Sequence, residues 1–492
     1  MQLQAQIHHP TTVHRFDSHG FLQVDLQQQK PVIILPFDIF GHIPLYLFAK
    51  ILIFSYICTQ NRKKFMRKLI IVTILGCITL QATAQDVWKE IDQDPRRSAS
   101  NYMAYPEPTK PLTPAPKGKK PFYISHYGRH GSRFIINQRD YDYPYFTLLM
   151  ADSLGKLNEK GQEILRRMKL LREDANNRLG ELTPLGAQQH RDIARRMYTR
   201  FPEVFKGDVC IDAKSTVVIR CILSMENALQ ELVKLNPRLR ITHDASEHDM
   251  YYMNLRDRKL SSKRLPKVSQ DIYDAFCKRH IDPKRPVESL FNDTTYSNNC
   301  INLERLNYYI FKVVAIAQNT EMRDLIDFYD LYNTDELYVN WRKDNVYWYL
   351  TYGPSPQNGG TQPFSQRNLL RKMIQEADSC ISLPRPGATL RFGHETMVLP
   401  LTCLLGLNGY DIQVEDVEQL EDKGWVNYRI FPMGANIQFI FYRKNPKDQD
   451  VLFKVLLNEE EATLPIPTDC APYYHWNDFR QHYLQKLDAY KD

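Results

Sequence analysis

Apolar and polar residues alternate through "PFYISHY" (121–127), the two-residue period of a strand. The run ends at a basic, glycine-containing stretch, "GRHGSR" (128–133). Helical spacing follows around 159–173. "LTPLGAQQHRDIARRMYTRF" (182–201) opens with Thr183 as a good N-cap and Pro184 at the first helical position. Its Leu185, Ile193, Met197 and Phe201 share one face, and Arg191, Arg195 and Arg196 read as the solvated face. "STVVIR" (215–220) predicts a short buried strand and "MENALQELVKL" (225–235) a helix behind it. Strand and helix thus alternate, as in an α/β sheet.

From about 240 to 380 the pattern turns helical. "LERLNYYIFKVVAIAQ" (303–318) and "QRNLLRKMIQEA" (366–377) have helical spacing, with the breaker-rich "GPSPQNGGTQP" (353–363) between them. "THDASEHDMYYM" (242–253) holds His243 and His248 and reads as a polar loop rather than a metal site. Strand signals return in "ATLRFG" (388–393), "NIQFIFYR" (436–443) and "VLFKVLL" (451–457). These patterns predict a sheet domain built from 121–239 and 381–492, interrupted by a helical insertion over 240–380. "YPEPTKPLTPAPKGKK" (105–120) closes an extended, Pro/Lys-rich lead-in spanning 85–120.

The 492 residues, 43% hydrophobic and 25% charged, fit a globular protein of two to three domains or one large domain with an insertion. The formal charge of +7 is uneven. Residues 1–84 hold eight Lys/Arg against three Asp, which leaves +5 there and +2 for the rest. No basic stripe argues for a nucleic-acid partner, so an anion site must be local.

"MRKLIIVTILGCITLQATAQ" (66–85) has the basic, apolar and small-residue regions of a signal peptide, 66–84, cleaved near Ala84/Gln85. Met66 then reads as the start and residues 1–65 as a mis-called extension. The 16-residue apolar run at 43–58 is the rival, a membrane anchor, but it is short for a span. The expectation is an exported protein, periplasmic or secreted, with no membrane span in the mature chain. Seven scattered cysteines follow residue 84. One or two bridges are open to them in an oxidising compartment, but there is no disulfide scaffold. No C-x-x-C pair suggests a zinc ribbon.

Chemistry concentrates in three places. In Arg129-His130-Gly131-Ser132-Arg133, the glycine suits a tight turn with close backbone approach to a ligand. The arginines offer forked donors for phosphate oxygens and disfavour a charged His130, which keeps the imidazole a nucleophile. A chance R-H-G-x-R in such a chain is on the order of one in 500 from average residue usage. In "RFGHET" (391–396), a strand runs into His394 and Glu395 ahead of a candidate helix, whose N-terminus favours anions. Val398 stands where a zincin motif needs histidine. Arg220, ending "STVVIR", completes the set.

"YISHYGRHGSR", "ELTPLGAQQH", "STVVIRCILS" and "LRFGHETMVLPL", in this order, resemble the histidine acid phosphatases, branch 2 of the histidine phosphatase superfamily. The resemblance covers roughly 120–480 and is nearest the bacterial multiple inositol polyphosphate phosphatases and phytases. It implies an α/β, phosphoglycerate-mutase-like sheet flanked by helices, with a mostly helical inserted cap. It implies His130 as nucleophile forming a phosphohistidine, Glu395 as proton donor, and Arg129, Arg133, Arg220 and His394 as phosphate-binding groups. It implies no cofactor, no metal and a small-molecule phosphate ester as substrate, with inositol polyphosphates ahead of a broad range of phosphomonoesters. Arg139 and Tyr141 are candidate specificity residues. An inactive phospho-ligand binding protein is the alternative of another class, and it conflicts with the presence of both His130 and Glu395. Two departures from the family stand out. Its acid position usually reads His-Asp or His-Ala-Glu, whereas this chain has His394-Glu395-Thr396, and Ile135 stands where proline is common.

Overall fold

The computed structural model describes residues 87–253, 257–261 and 263–491, together with a two-residue strand pair near the N-terminus. That pair, Arg15–Phe16 and Leu22–Gln23, is antiparallel and belongs to a unit covering Met1–Ala82. The second unit runs from Thr83 to Asp492. The expected signal segment, 66–84, lies outside the described residues. No helix among those described is long and apolar enough to cross a membrane.

The second unit is organised on an eight-stranded mixed sheet. Its strands are β1 (Lys120–Arg129), β2 (Cys210–Ser215), β3 (Arg240–Asp244), β4 (Gly387–Gly393), β5 (Asn436–Arg443), β6 (Leu452–Leu457), β7 (Glu460–Ala462) and β8 (Tyr474–His475). They lie in the order β8-β6-β5-β1-β4-β2-β3, with β7 paired to β6. β1, β4, β2 and β3 run parallel, while β5 to β8 make antiparallel pairs.

Both sheet faces are covered, so β4 and β5 are buried throughout and β1 from Tyr123 onward. Tyr123, Phe439, Phe441 and Phe453 face a core shared with helices α6 (Lys267–His280), α9 (Arg367–Ile381), α10 (Glu395–Leu405) and α11 (Trp476–Ala489). Ile124, Leu390, Ile440 and Leu456 face the opposite core, against α4 (Pro184–Arg200) and α5 (Ile219–Leu235). A third core joins α2 (Gln138–Ser153), α3 (Glu159–Asp174), α7 (Leu303–Ala317) and α8 (Thr334–Tyr352) to α1 (Val87–Gln93) and to Phe134 and Ile135. Burying any one of these large apolar side chains is worth roughly 1.5–3 kcal/mol.

Three expectations change. The strand near 215–220 lies earlier, at 210–215: Val217 and Val218 form a turn, and Arg220 sits in the first turn of α5. Residues 240–244 form an edge strand of the sheet, so His243 lies on β3 rather than in a loop, and it pairs with Glu226 at 2.8 Å. α9, expected in the insertion, packs on the sheet core. The arginines of α4 are not simply solvated either. Arg196 and Arg200 hold the buried Glu459 at 2.6 and 3.2 Å, and Arg195 holds Glu231 at 2.8 Å. Cys210, Cys221, Cys277, Cys300, Cys380, Cys403 and Cys470 are all free, which removes the disulfides left open above.

Candidate active site

Parallel pairing brings distant segments to one end of the sheet. Arg129 ends β1 opposite Gly393 of β4, and Phe392 lies opposite Ser215 at the end of β2. The segments that follow, 130–133, 216–220 and 394–395, therefore meet beyond the carboxyl ends of three adjacent strands, where open α/β sheets place their ligands.

Gly131 does not take a positive φ, contrary to the tight turn predicted for it. Its role is close packing. A Cβ there would lie 2.4 Å from the Gly186 carbonyl oxygen, and a Cβ on Gly186 would lie 2.2 Å from that of Ser132. Two glycines thus let the motif loop rest backbone-to-backbone on the first turn of α4. Ser224 Oγ accepts the Gly131 amide at 3.2 Å, and Gln189 Oε1 accepts the Ser132 amide at 2.8 Å. Ser132 Oγ donates to Asn319 at 2.7 Å.

His130 is fully buried. Its Nδ1 lies 2.8 Å from the Gly131 carbonyl, which can only accept, so Nδ1 carries the proton and Nε2 keeps a free lone pair. Burial holds the ring well below the usual imidazole range, and Arg129 and Arg220 act in the same direction against Glu395. Arg129, also fully buried, donates to the carbonyls of Asn101 and Phe431 at 2.8 and 2.7 Å. Burial lowers it to about 10, with Arg133 and Arg220 adding to the effect against Glu395; it stays cationic at neutral pH. Arg133 donates to the Phe134 carbonyl at 2.9 Å and lies over the Tyr102 ring at 5.3 Å.

His394 caps α10 from the end of β4, and its ring centroid lies 5.6 Å from that of His130. Thr216 Oγ1 is 3.1 Å from its Nε2, and Cys221 Sγ is 3.5 Å from the same atom. Burial lowers His394 to about 3, Arg220, Arg129 and Arg133 adding to this against Glu395. Glu395 Oε2 lies 3.1 Å from Arg129 Nε and 3.5 Å from His130 Nε2. Burial alone would raise this carboxyl, but Arg129, the His130 ring and Arg133 outweigh it and hold it well below the carboxylate range.

Three buried guanidinium nitrogens at this locus, Arg129 Nη2, Arg133 Nε and Arg220 Nε, have no hydrogen-bond partner, and His130 Nε2, Arg129 Nε and Glu395 Oε2 face only one another, at 3.1–3.5 Å. Buried polar groups are nearly always paired, and each unpaired one costs about 1–3 kcal/mol. Their concentration in one place is the mark of a preformed anion cradle. His130, His394 and Glu395 also offer three ligand atoms within 4.8 Å of one another. Three neighbouring guanidinium groups would repel a cation there and make the locus electrostatically suited to an anion.

His130, Glu395, Arg129, Arg133, Arg220 and His394 are thus brought together. Arg139 and Tyr141 are not part of this cluster. Arg139 is exposed on the first turn of α2. Tyr141 is buried, and its hydroxyl accepts the Ile135 amide at 3.2 Å, bracing the loop from behind. Sequence reading missed Thr216, Cys221 and Ser224. All three lie in "STVVIRCILS", and the four-residue step from Arg220 to Ser224 was the available signal for a shared helix face.

The family model for the histidine phosphatase superfamily (branch 2) matches residues 128–458. No curated protein matches the chain in sequence. Among solved structures, the chain is similar to Bifidobacterium longum multiple inositol polyphosphate phosphatase in complex with inositol hexasulfate. The TM-score is 0.66 at 16% identity, over 79% of this chain and 97% of that one. It is also similar to the phytase from D. castellii, with a TM-score of 0.61 at 14% identity, over 80% of this chain and 85% of that one. The strand-end cradle and the family match agree: the chain belongs to the histidine phosphatase superfamily, branch 2, and is a phosphatase.

Proposed function

We propose that this phosphatase cleaves phosphomonoesters through a phosphohistidine at His130, with inositol polyphosphates as its substrate class and an exported location. The observation that carries the chemistry is the set of buried guanidinium nitrogens without a hydrogen-bond partner around His130 and Glu395. The preference for inositol polyphosphates leans on the likeness to the Bifidobacterium enzyme and its hexasulfate complex.

Nε2 of the neutral His130 ring attacks phosphorus, and the P–O bond to the alcohol breaks on the opposite side. Arg129, Arg133, Arg220 and His394 hold the equatorial oxygens as charge builds on them. Glu395 delivers a proton to the departing alkoxide. It then takes a proton from the water that attacks the phosphohistidine, releasing inorganic phosphate and restoring Nε2.

Glu395 must move and change charge for this. Its Oε2 is 3.5 Å from Nε2, about the distance at which a phosphoryl group is attacked. A phosphate dianion and this carboxylate cannot share that volume. Arriving phosphate therefore displaces the side chain, takes over Arg129 and raises the carboxyl toward its protonated form. Substrate itself thus converts Glu395 into an acid.

A broad phosphomonoesterase is the second reading, favoured by exposed Ile219 and Ile136 near Arg220. These side chains suit a leaving alcohol with an apolar part better than one bearing only phosphates. Phosphate release from phytate and from an aryl phosphate, with His130→Ala as control, tests both. Phytate release that falls more than about 1,000-fold in H130A is the expected outcome. Aryl phosphate turnover with no phytate release supports the second reading, and undiminished turnover in H130A overturns the mechanism.

A further inference from the structure

A second cluster of metal-ligating side chains lies at the far end of the sheet. β8 pairs with the start of β6, His475 opposite Leu452, and Leu452 pairs in turn with Tyr442 near the end of β5. Tyr442 faces Pro121 at the amino end of β1, whereas the phosphatase site follows the carboxyl end of that strand. Asp469, Cys470 and His475 each present one ligand atom here, all within 4.8 Å of one another.

We propose that Asp469, Cys470 and His475 bind a divalent transition metal of the zinc class, with water in the fourth position. The geometry suits a tetrahedral ion. Bond lengths of about 2.0–2.3 Å to N, O and S put neighbouring ligand atoms roughly 3.3–3.7 Å apart. Cys470 Sγ is 3.9 Å from His475 Nε2, and Asp469 Oδ1 is 3.0 Å from it. Shifts of a few tenths of an ångström bring both into range. The thiolate, imidazole and carboxylate set is one that zinc accepts and that calcium or magnesium does not favour.

The groups behind these ligands point the same way. The other ring nitrogen of His475, Nδ1, donates to Asp450 Oδ1 at 2.9 Å. Nε2 donates in the same way to Asp469 Oδ1, so an ion entering the cluster replaces the Nε2 proton while Asp450 keeps the ring oriented, as the carboxylate behind a metal-bound histidine does. Asp450 is held in turn by Lys119, 3.0 Å away. Cys470 is set by its own turn: Thr468 Oγ1 accepts the Cys470 amide at 3.3 Å and donates to the Tyr473 carbonyl at 2.7 Å. On binding, the Cys470 S–H and His475 Nε2–H bonds break, both protons leave to solvent, and the freed sulfur and nitrogen lone pairs form the metal bonds. Nδ1 keeps the proton that it donates to Asp450, and Asp469 enters already ionised. The ion would tie the 468–475 turn, and α11 behind it, to the edge of the sheet.

Cobalt(II) titration of the full chain at neutral pH tests this. The expected result is one equivalent of cobalt bound with a thiolate-to-cobalt absorption band that zinc displaces. Cys470→Ser is expected to lose the band while keeping phosphatase activity, which shows that the variant is folded. Asp450→Asn is expected to keep the band and bind cobalt at least tenfold more weakly. No thiolate band in the wild-type chain overturns the proposal. So does a band that persists in C470S, which would place the ion at another cysteine.

Discussion

Glu395 departs from the pattern expected of the family, and its surroundings bear on the proton-donor role proposed for it. A longer carboxylate at the first position of α10 folds back onto Arg129 and His130, 3.1 and 3.5 Å away. It neutralises part of the cradle and must yield to phosphate. Glu395→Gln separates its two effects. Removing the charge relieves competition with the incoming anion, so inorganic phosphate inhibits the variant as strongly as the wild type or more so. Removing the proton donor slows release of a poor leaving group such as an inositol hydroxyl by about 100-fold or more. An aryl phosphate, whose leaving group needs little protonation, forms the phosphoenzyme almost normally but hydrolyses it slowly. Rapid-quench labelling should therefore show phosphohistidine accumulating. Equal slowing of formation with both substrates, and no accumulation, would remove Glu395 from both proton transfers.

At the scale of elements, the loop carrying His130 is fixed by contact with α4 as much as by its own sequence. Gly186→Ala puts a methyl group 2.2 Å from the Ser132 carbonyl oxygen and 2.7 Å from its amide nitrogen. Neither is the end of a flexible side chain, so the loop must shift. Denaturant titration should show a loss of about 1–3 kcal/mol. Activity should fall further than that loss explains, because a shift of about 1 Å at a reacting group costs on the order of 100-fold. A variant with wild-type kinetics would show that this packing does not position His130.

The same scale shows what the sequence made legible. β5 was read to its ends because every residue of "NIQFIFYR" is buried and apolar residues dominate the run. β2 was missed because its buried positions, Ile211, Ala213 and Ser215, are mostly small, while the β-branched Val217 and Val218 beside it serve a turn. β3 is exposed at nearly every position, so no alternation marked it. At the site, His130 and its arginines were legible because adjacency in sequence is adjacency in space. Tyr141 looked available in "NQRDYDY" (137–143), but a tyrosine two positions further along the same turn would have looked no different. Only the packing of α2 decides which one turns inward.

The molecule as a whole carries an acid sensitivity that follows from where its histidines lie. His126 and His394 are lowered to about 3 and His190 to about 4, burial being the leading cause in each, and His130 is held well below its usual range. In the unfolded chain these rings gain protons below about 6.5. Between that value and their folded values the unfolded state binds more protons, so stability falls as pH falls. Each such histidine contributes at most about 1.4 kcal/mol per pH unit across this window. His475, raised by its hydrogen bond to Asp469 and by Asp450, acts in the opposite sense, and so do Asp344 and Glu421, which burial raises. Four buried rings against three groups, one of them partly exposed, leave the net effect with the former. Thermal unfolding should show a midpoint that is highest near neutral pH and drops steadily from about pH 6.5 to pH 4. Inorganic phosphate, bound only by the folded cradle, should lift the midpoint at every pH. A midpoint that rises on acidification without phosphate would mean that these rings are solvated, and that His130 is not kept neutral by burial as the proposed nucleophilic role requires.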